Sequence, residues 1–215
     1  MGSQYKEIAK KALWTDNPVI RQILGICSAL AVTNLVSNTL VMGLGVAFVT
    51  AFSSFTVSVL RNIIPIRVRM MVQTLIIAFY VILVDILLKA FYPDMSRALG
   101  PYVGLIITNC IIMGRCEAFA QSNKPVISFY DGLMSGLGYT LVLTAIAVVR
   151  ELLGFGTIFG LRILGDWWVP WTIMVMAPSA FFVLASIIWV TKTFALKKEK
   201  TAGQKVIRGV QASGN

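Results

Sequence analysis

The sequence predicts an all-α, polytopic membrane protein of six transmembrane helices, built as a 3+3 inverted repeat with helices 1 and 4 interrupted. Three observations carry that prediction. The first is composition: 57% of the 215 residues are apolar and 13% charged, and the 39-residue stretch from Gln22 to Leu60 has no charge at all, which no soluble core requires. The second is a set of six apolar segments with turn-forming residues between them. The third is internal recurrence. Pro18 lies nine residues before Cys27 and Pro101 nine before Cys110, and Gly-Leu-Gly occurs at 43–45 and again at 136–138.

A helix needs about 20 apolar residues to cross the hydrocarbon core. By that measure the crossings are Val19 to Val36, Thr39 to Leu60, Met70 to Tyr92, Ala98 to Cys116, Gly132 to Val149 and Trp168 to Thr191. Asn34 and Asn38 bracket the first turn. Arg61-Asn62 and Pro65 end the second segment, Tyr92-Pro93-Asp94 the third, and Asn123-Lys124-Pro125 separates the fourth from the fifth. The first segment has only twelve uncharged residues between Arg21 and Asn34, and the fourth holds Gly100, Pro101, Gly104, Asn109 and Gly114. Interrupted segments at matching places in two halves are the pattern of a site at a repeat interface. Trp167, Trp168 and Trp171 fall where an interfacial aromatic belt is expected.

Six crossings place both termini on one side. Fifteen of the nineteen basic residues then lie on that side and four (Lys89, Arg97, Arg150, Arg162) on the other, so the termini are expected in the cytoplasm of a bacterial inner membrane. The net charge of +10 thereby becomes a matter of topology, and no nucleic-acid partner is expected. Residues 1–195 read as the membrane domain and 196–215 as a basic cytoplasmic tail. Lys6, Lys10 and Lys11 precede no cleavable signal, so the membrane segments themselves are expected to direct insertion.

Chemistry is confined to few residues. The chain has no His, which removes haem–His ligation and imidazole acid–base catalysis. No nucleotide fingerprint is present, because GFGTIFG at 154–160 has neither the spacing nor the preceding strand of a phosphate loop and reads as a connection. Cys27 in LGICSALAVT and Cys110 in LIITNCIIMG occupy the two interrupted segments. Two thiols facing each other would be half of a soft-metal site, the rest coming from another chain; two separately buried cysteines are the alternative. Cys116 follows Cys110 by about 240° of helix rotation and is a poor third ligand. Asp85, deep in FYVILVDILLKAF, reads either as a cation-binding or proton-relay carboxylate or as an ion pair with Lys89 at i+4. Arg115 with Glu117 and Arg150 with Glu151 read as interfacial anchors, and Pro178 as a kink within the sixth helix.

NPVIRQILGICSALAVT (17–33), FVTAFSSFTVSVLRNIIP (48–65), YVGLIITNCIIMGRCEAFA (102–120), DGLMSGLGY (131–139), RELLGFGTIFG (150–160) and APSAFF (177–182) together cover most of the chain. In these stretches it closely resembles the D-type subunits of the sodium-translocating NADH:quinone oxidoreductases, the Nqr complexes, and more distantly the E-type subunits of the Rnf ferredoxin:NAD oxidoreductases. Ser28 where Rnf-type chains tend to have Pro, together with Gln73 and Asp85, leans to Nqr. Ile86 departs from the Gln usual there, and Cys116 stands where the family usually has Ala. The resemblance implies pairing with a homologous sister membrane subunit of opposite orientation, the E type of Nqr, among the other Nqr subunits. It also implies a [2Fe-2S] cluster or single iron shared between the two, with Cys27 and Cys110 as this chain's ligands and Asp85 as an ion-pathway carboxylate. FMN, FAD and NADH would sit on partner subunits, with electrons passing to ubiquinone while Na+ crosses the membrane. The alternatives are an Rnf-type subunit and a non-redox ion transporter.

Overall fold

Uninterrupted apolar sequence becomes long helix, and the longest pair forms the centre of the protein. The computed structural model describes residues 19, 22–158, 161–162, 171–176 and 178–194. In chain order the helices are α1 (Ile26–Val32), α2 (Val36–Leu60), α3 (Arg69–Phe91), α4 (Pro93–Ile107), α5 (Cys110–Arg115), which runs on into a π-helical turn (Cys116–Ala120), and α6 (Pro125–Phe155). A two-residue antiparallel ladder follows, β1 (Thr157–Ile158) with β2 (Leu161–Arg162), then α7 (Thr172–Val175) and α8 (Pro178–Phe194).

At 1.5 Å per residue, the 25 residues of α2 reach about 37 Å and the 31 of α6 about 46 Å, each enough for a ~30 Å hydrocarbon core. Pro125 starts α6, where its missing N–H is no loss, and Gly156 ends it in the left-handed conformation at φ 67. The two helices are antiparallel. Glu151 Oε2 accepts from Val36 N at 2.7 Å at one end, and Asn123 O accepts from Ser58 Oγ (2.7 Å) and Arg61 Nη1 (3.0 Å) at the other. Lipid gives no hydrophobic drive to helix pairing, so close approach through small residues must supply it. Gly43 lies against Thr140, Gly136 against Ala47, and Gly132 against the Thr50 carbonyl and Ala51. The first two contacts are reciprocal, each glycine resting on the residue four positions after the other.

α3 leans on α2 through Thr56 Oγ1 and Tyr80 OH (2.8 Å), and among its residues only Gln73, Ile77 and Val81 are buried. Leu75, Phe79 and Ile86 point outward, as expected of a helix that faces lipid or another subunit.

Among the described residues, four spans are long and apolar enough to cross a membrane: Val36–Leu60, Arg69–Phe91, Tyr102–Ala120 and Pro125–Phe155. The six full crossings expected from the sequence are therefore not all full-length helices among the described residues. In the first expected crossing the helix is Ile26–Val32, because Gly25 at φ 82 breaks the chain before it. In the last, Met176 is extended (ψ 149) and the apolar helix Pro178–Phe194 follows; residue 177, on which the expected kink at Pro178 depends, lies outside the described residues. Trp167 and Trp168 and the basic tail lie outside the described residues; Trp171 is exposed.

Candidate functional site

Two breaks in the backbone define the site. Ile23 takes φ 56, a strained value for a β-branched residue, and Gly25 takes φ 82. A Cβ on Gly25 would stand 2.8 Å from Ile111 Cδ1 and 2.9 Å from Tyr139 Cε2, so this position needs glycine for space as well as for conformation. Helix α1 starts immediately afterwards and places Cys27 in its first turn. The second break is at Thr108–Asn109. Asn109 is extended (φ −68, ψ 119), and its Oδ1 accepts from Ile111 N at 3.1 Å, the bond by which asparagine caps a helix start. Cys110 is the first residue of α5.

The two breaks are tied together. Ser28, next to Cys27, donates to the Gly25 carbonyl at 2.9 Å and shares a hydrogen bond with the Tyr139 hydroxyl. Asn109, next to Cys110, brings Nδ2 to 3.5 Å from the same Ser28 Oγ. Ser28, Asn109 and Tyr139 are all fully buried. Tyr139 comes from near the midpoint of α6. From this level the half-helices run to opposite ends of α6. Thr33, just past α1, accepts from Arg150 Nη1 at 2.5 Å. Arg115, at the end of α5, makes a two-pronged ion pair with Asp131, its Nε 2.9 Å from Oδ2.

The three thiols differ. Cys27 and Cys110 are exposed, while Cys116 is fully buried 3.9 Å from Ser54 Oγ. Exposed thiols on spans this apolar face either lipid or another protein. Among the described residues no three His, Cys, Asp or Glu side chains gather as a metal site. Asp85 takes no part in the network: it accepts from Lys89 Nζ at 2.6 Å, the i+4 partner expected for it.

The charge pairs expected at helix ends do not form, because residues one or two apart on a helix do not face each other. Arg115 turns to Asp131 and lies over the Phe119 ring. Glu117 takes Arg69 and Gln73 (Nε2 to Oε2, 3.0 Å), Arg150 reaches Thr33 and the Met174 and Met176 carbonyls, and Glu151 takes the Val36 amide. They are cross-ties between elements. Sequence reasoning also missed Tyr139, Ser28 and Asp131. Its available signals were a polar residue beside each cysteine and a tyrosine closing GLGY at 136–139.

A family model described as "Rnf-Nqr subunit, membrane protein" matches residues 5–188. Relatives named as the D subunit of Na(+)-translocating NADH-quinone reductase are similar over nearly their full length. The one from Psychromonas ingrahamii is 48% identical over 196 residues (89% of this chain, 93% of its own), and the one from Chlamydia abortus 48% over 206 (91% and 97%). The one from Yersinia pestis is 48% identical over 195 (88% and 93%).

Proposed function

Because the chain belongs to the Rnf-Nqr family of membrane subunits, we propose that it is the D-type subunit of a sodium-translocating NADH-quinone reductase, with Cys27 and Cys110 giving half the ligands of an intramembrane iron–sulfur centre. The observation that carries the ligand assignment is the shared setting of the two exposed thiols. Each sits at a backbone break at the mid-depth of α6, and the residues flanking them meet at one hydroxyl, while the third cysteine is buried in packing. The donor set fits: thiolates suit iron–sulfur centres, which ordinarily take four, and two is what one of two homologous chains would bring. A bound centre supplies one-electron transfer. The chain's own residues hold the two thiols at fixed places, keep the surroundings apolar with Ile111, Ile112 and Leu143, and leave one side open for a sister subunit. FMN, FAD, NADH and quinone belong to the other subunits.

The reciprocal Gly43 and Gly136 contacts support the inverted repeat, since a two-fold axis between α2 and α6 produces that exchange of partners. Arg61, Arg67, Arg69, Arg115 and Lys124 gather at the end where α2 stops and α6 starts, which supports a cytoplasmic assignment for that end in a bacterial inner membrane. Asp85 stays the carboxylate to test for ion movement, with Lys89 as the group that neutralises it.

The test is iron and acid-labile sulfide in the anaerobically purified complex. Cys27→Ser and Cys110→Ser should each lose one centre's iron and stop electron transfer to quinone while flavins are retained. Iron and sulfide at the wild-type level in both variants would return the two cysteines to packing.

A further inference from the structure

We propose that Tyr139 is a positioning residue for the electron-transfer centre: through Ser28 and Asn109 its phenol locks the half-helices that carry Cys27 and Cys110 in one mutual arrangement. The proposal rests on the assignment of those two cysteines as ligands.

The protons can be followed. Ser28 has one, and it goes to the Gly25 carbonyl at 2.9 Å. The Ser28 oxygen is then an acceptor toward its other neighbours, so Tyr139 O–H donates to it, and Asn109 Nδ2 approaches the same oxygen at 3.5 Å. The Ser28 oxygen thus joins the phenol to both breaks. On the first side the chain of contacts runs Tyr139, Ser28, Gly25 carbonyl, which is also the carbonyl that starts α1 by accepting from Ala29 N at 3.1 Å. On the second it runs through Asn109, whose other end caps α5.

A role in packing alone does not explain the hydroxyl. Phenylalanine has nearly the same shape, and a buried hydroxyl in an apolar span is unfavourable unless a partner answers it. Here the partner is Ser28, the residue next to one cysteine, and Ser28 in turn is approached by Asn109, the residue next to the other. Groups behind the ligands that fix their orientation change metal affinity by about 10–100-fold when removed. Tyr80 is the internal comparison. Its hydroxyl also meets a hydroxyl, Thr56 Oγ1 at 2.8 Å, but on the α2–α3 contact and next to no cysteine.

The experiment uses the intact complex, purified anaerobically, with a ferrous-iron chelator as probe and the reduced complex's electron paramagnetic resonance spectrum as second readout. Tyr139→Phe and Ser28→Ala should each speed loss of this centre's iron about 10–100-fold and shift its spectrum and midpoint potential, with the flavin potentials unchanged. Tyr80→Phe should do neither. Cys27→Ser is run alongside. If it removes the centre while Tyr139→Phe and Ser28→Ala release iron at the wild-type rate with the wild-type spectrum, the positioning role is wrong and the ligand assignment stands. If Cys27→Ser keeps wild-type iron, the ligand assignment falls and the role of Tyr139 falls with it. Should Tyr139→Phe fail to assemble, Ser28→Ala decides by the same criteria.

Discussion

At the scale of the residue, Gly25 is the position with least freedom. Its φ of 82 is one that residues with a Cβ adopt at a cost of about 1–3 kcal/mol, and the added methyl would also press on Ile111 and Tyr139. Gly25→Ala is therefore expected to lower the thermal inactivation midpoint of the detergent-solubilised complex and to loosen iron. Gly45→Ala is the matched control: its Cβ would meet only Val84 Cγ1, at 3.8 Å, and alanine favours helix, so it should be neutral or slightly stabilising. Equal effects of the two changes would remove the case for a strained junction. The two backbone breaks beside the cysteines were legible in advance. Cys27 and Cys110 stand out because each interrupts an apolar run beside a polar residue, and the interruptions are local matters of Gly and Asn chemistry. Tyr139 was not legible, since a tyrosine in a helix gains its meaning from what lies across the interface, and Ser28 and Asn109 are 111 and 30 positions away in sequence.

At the scale of the element, each cysteine half-helix is too short to hold itself. Helix α5 has six residues before it becomes a π-helical turn, and the Arg115–Asp131 pair fastens its far end to α6. Both side chains are largely buried, so removing one partner leaves a charge with no answer, a loss of about 3–5 kcal/mol, whereas replacing both with apolar residues of similar size is far milder. Arg115→Ala or Asp131→Asn should accordingly destabilise the complex strongly, and the double change Arg115→Met, Asp131→Leu should recover most of its melting temperature. Additive losses in that double-mutant cycle would show the two side chains to be stabilised independently. Composition and apolar run length were enough to locate α2 and α3 to within a few residues, whereas α6 runs from Pro125 to Phe155 where the apolar core alone marked 132–149. The partners of the charged residues were not readable. Sequence proximity paired Arg115 with Glu117 and Arg150 with Glu151, whereas helix geometry sends all four to other elements.

At the scale of the whole molecule, the two ends of the α2–α6 pair differ in charge, and that difference predicts an orientation. Arg61, Arg67, Arg69 and Lys124 lie at one end, where the loop before α3 and the start of α6 come together; Lys89 lies at the other, past the middle of α3. Basic residues are retained on the cytoplasmic side during insertion, so the expected arrangement has Lys124 on the cytoplasmic face and Lys89 on the opposite one. Both are exposed, Lys89 with 65% of its side chain accessible even while paired to Asp85. A membrane-impermeant amine reagent applied to sealed inside-out vesicles should label Lys124 and spare Lys89, and right-side-out vesicles should give the reverse. The count of crossings enters the same experiment. Recurring Pro–Cys spacing and the reciprocal glycines argue for two halves of opposite direction, yet among the described residues four spans have the length to cross, with the first and last expected crossings broken at Gly25 and Met176. A broken segment spans a membrane where protein shields its exposed backbone, and at Gly25 the Ile111 and Tyr139 side chains of this chain pack against the break. Labelling of Lys89 and Lys124 from the same side would contradict an odd number of crossings between them, and with it the assignment of the two cysteines to a common depth inside the bilayer.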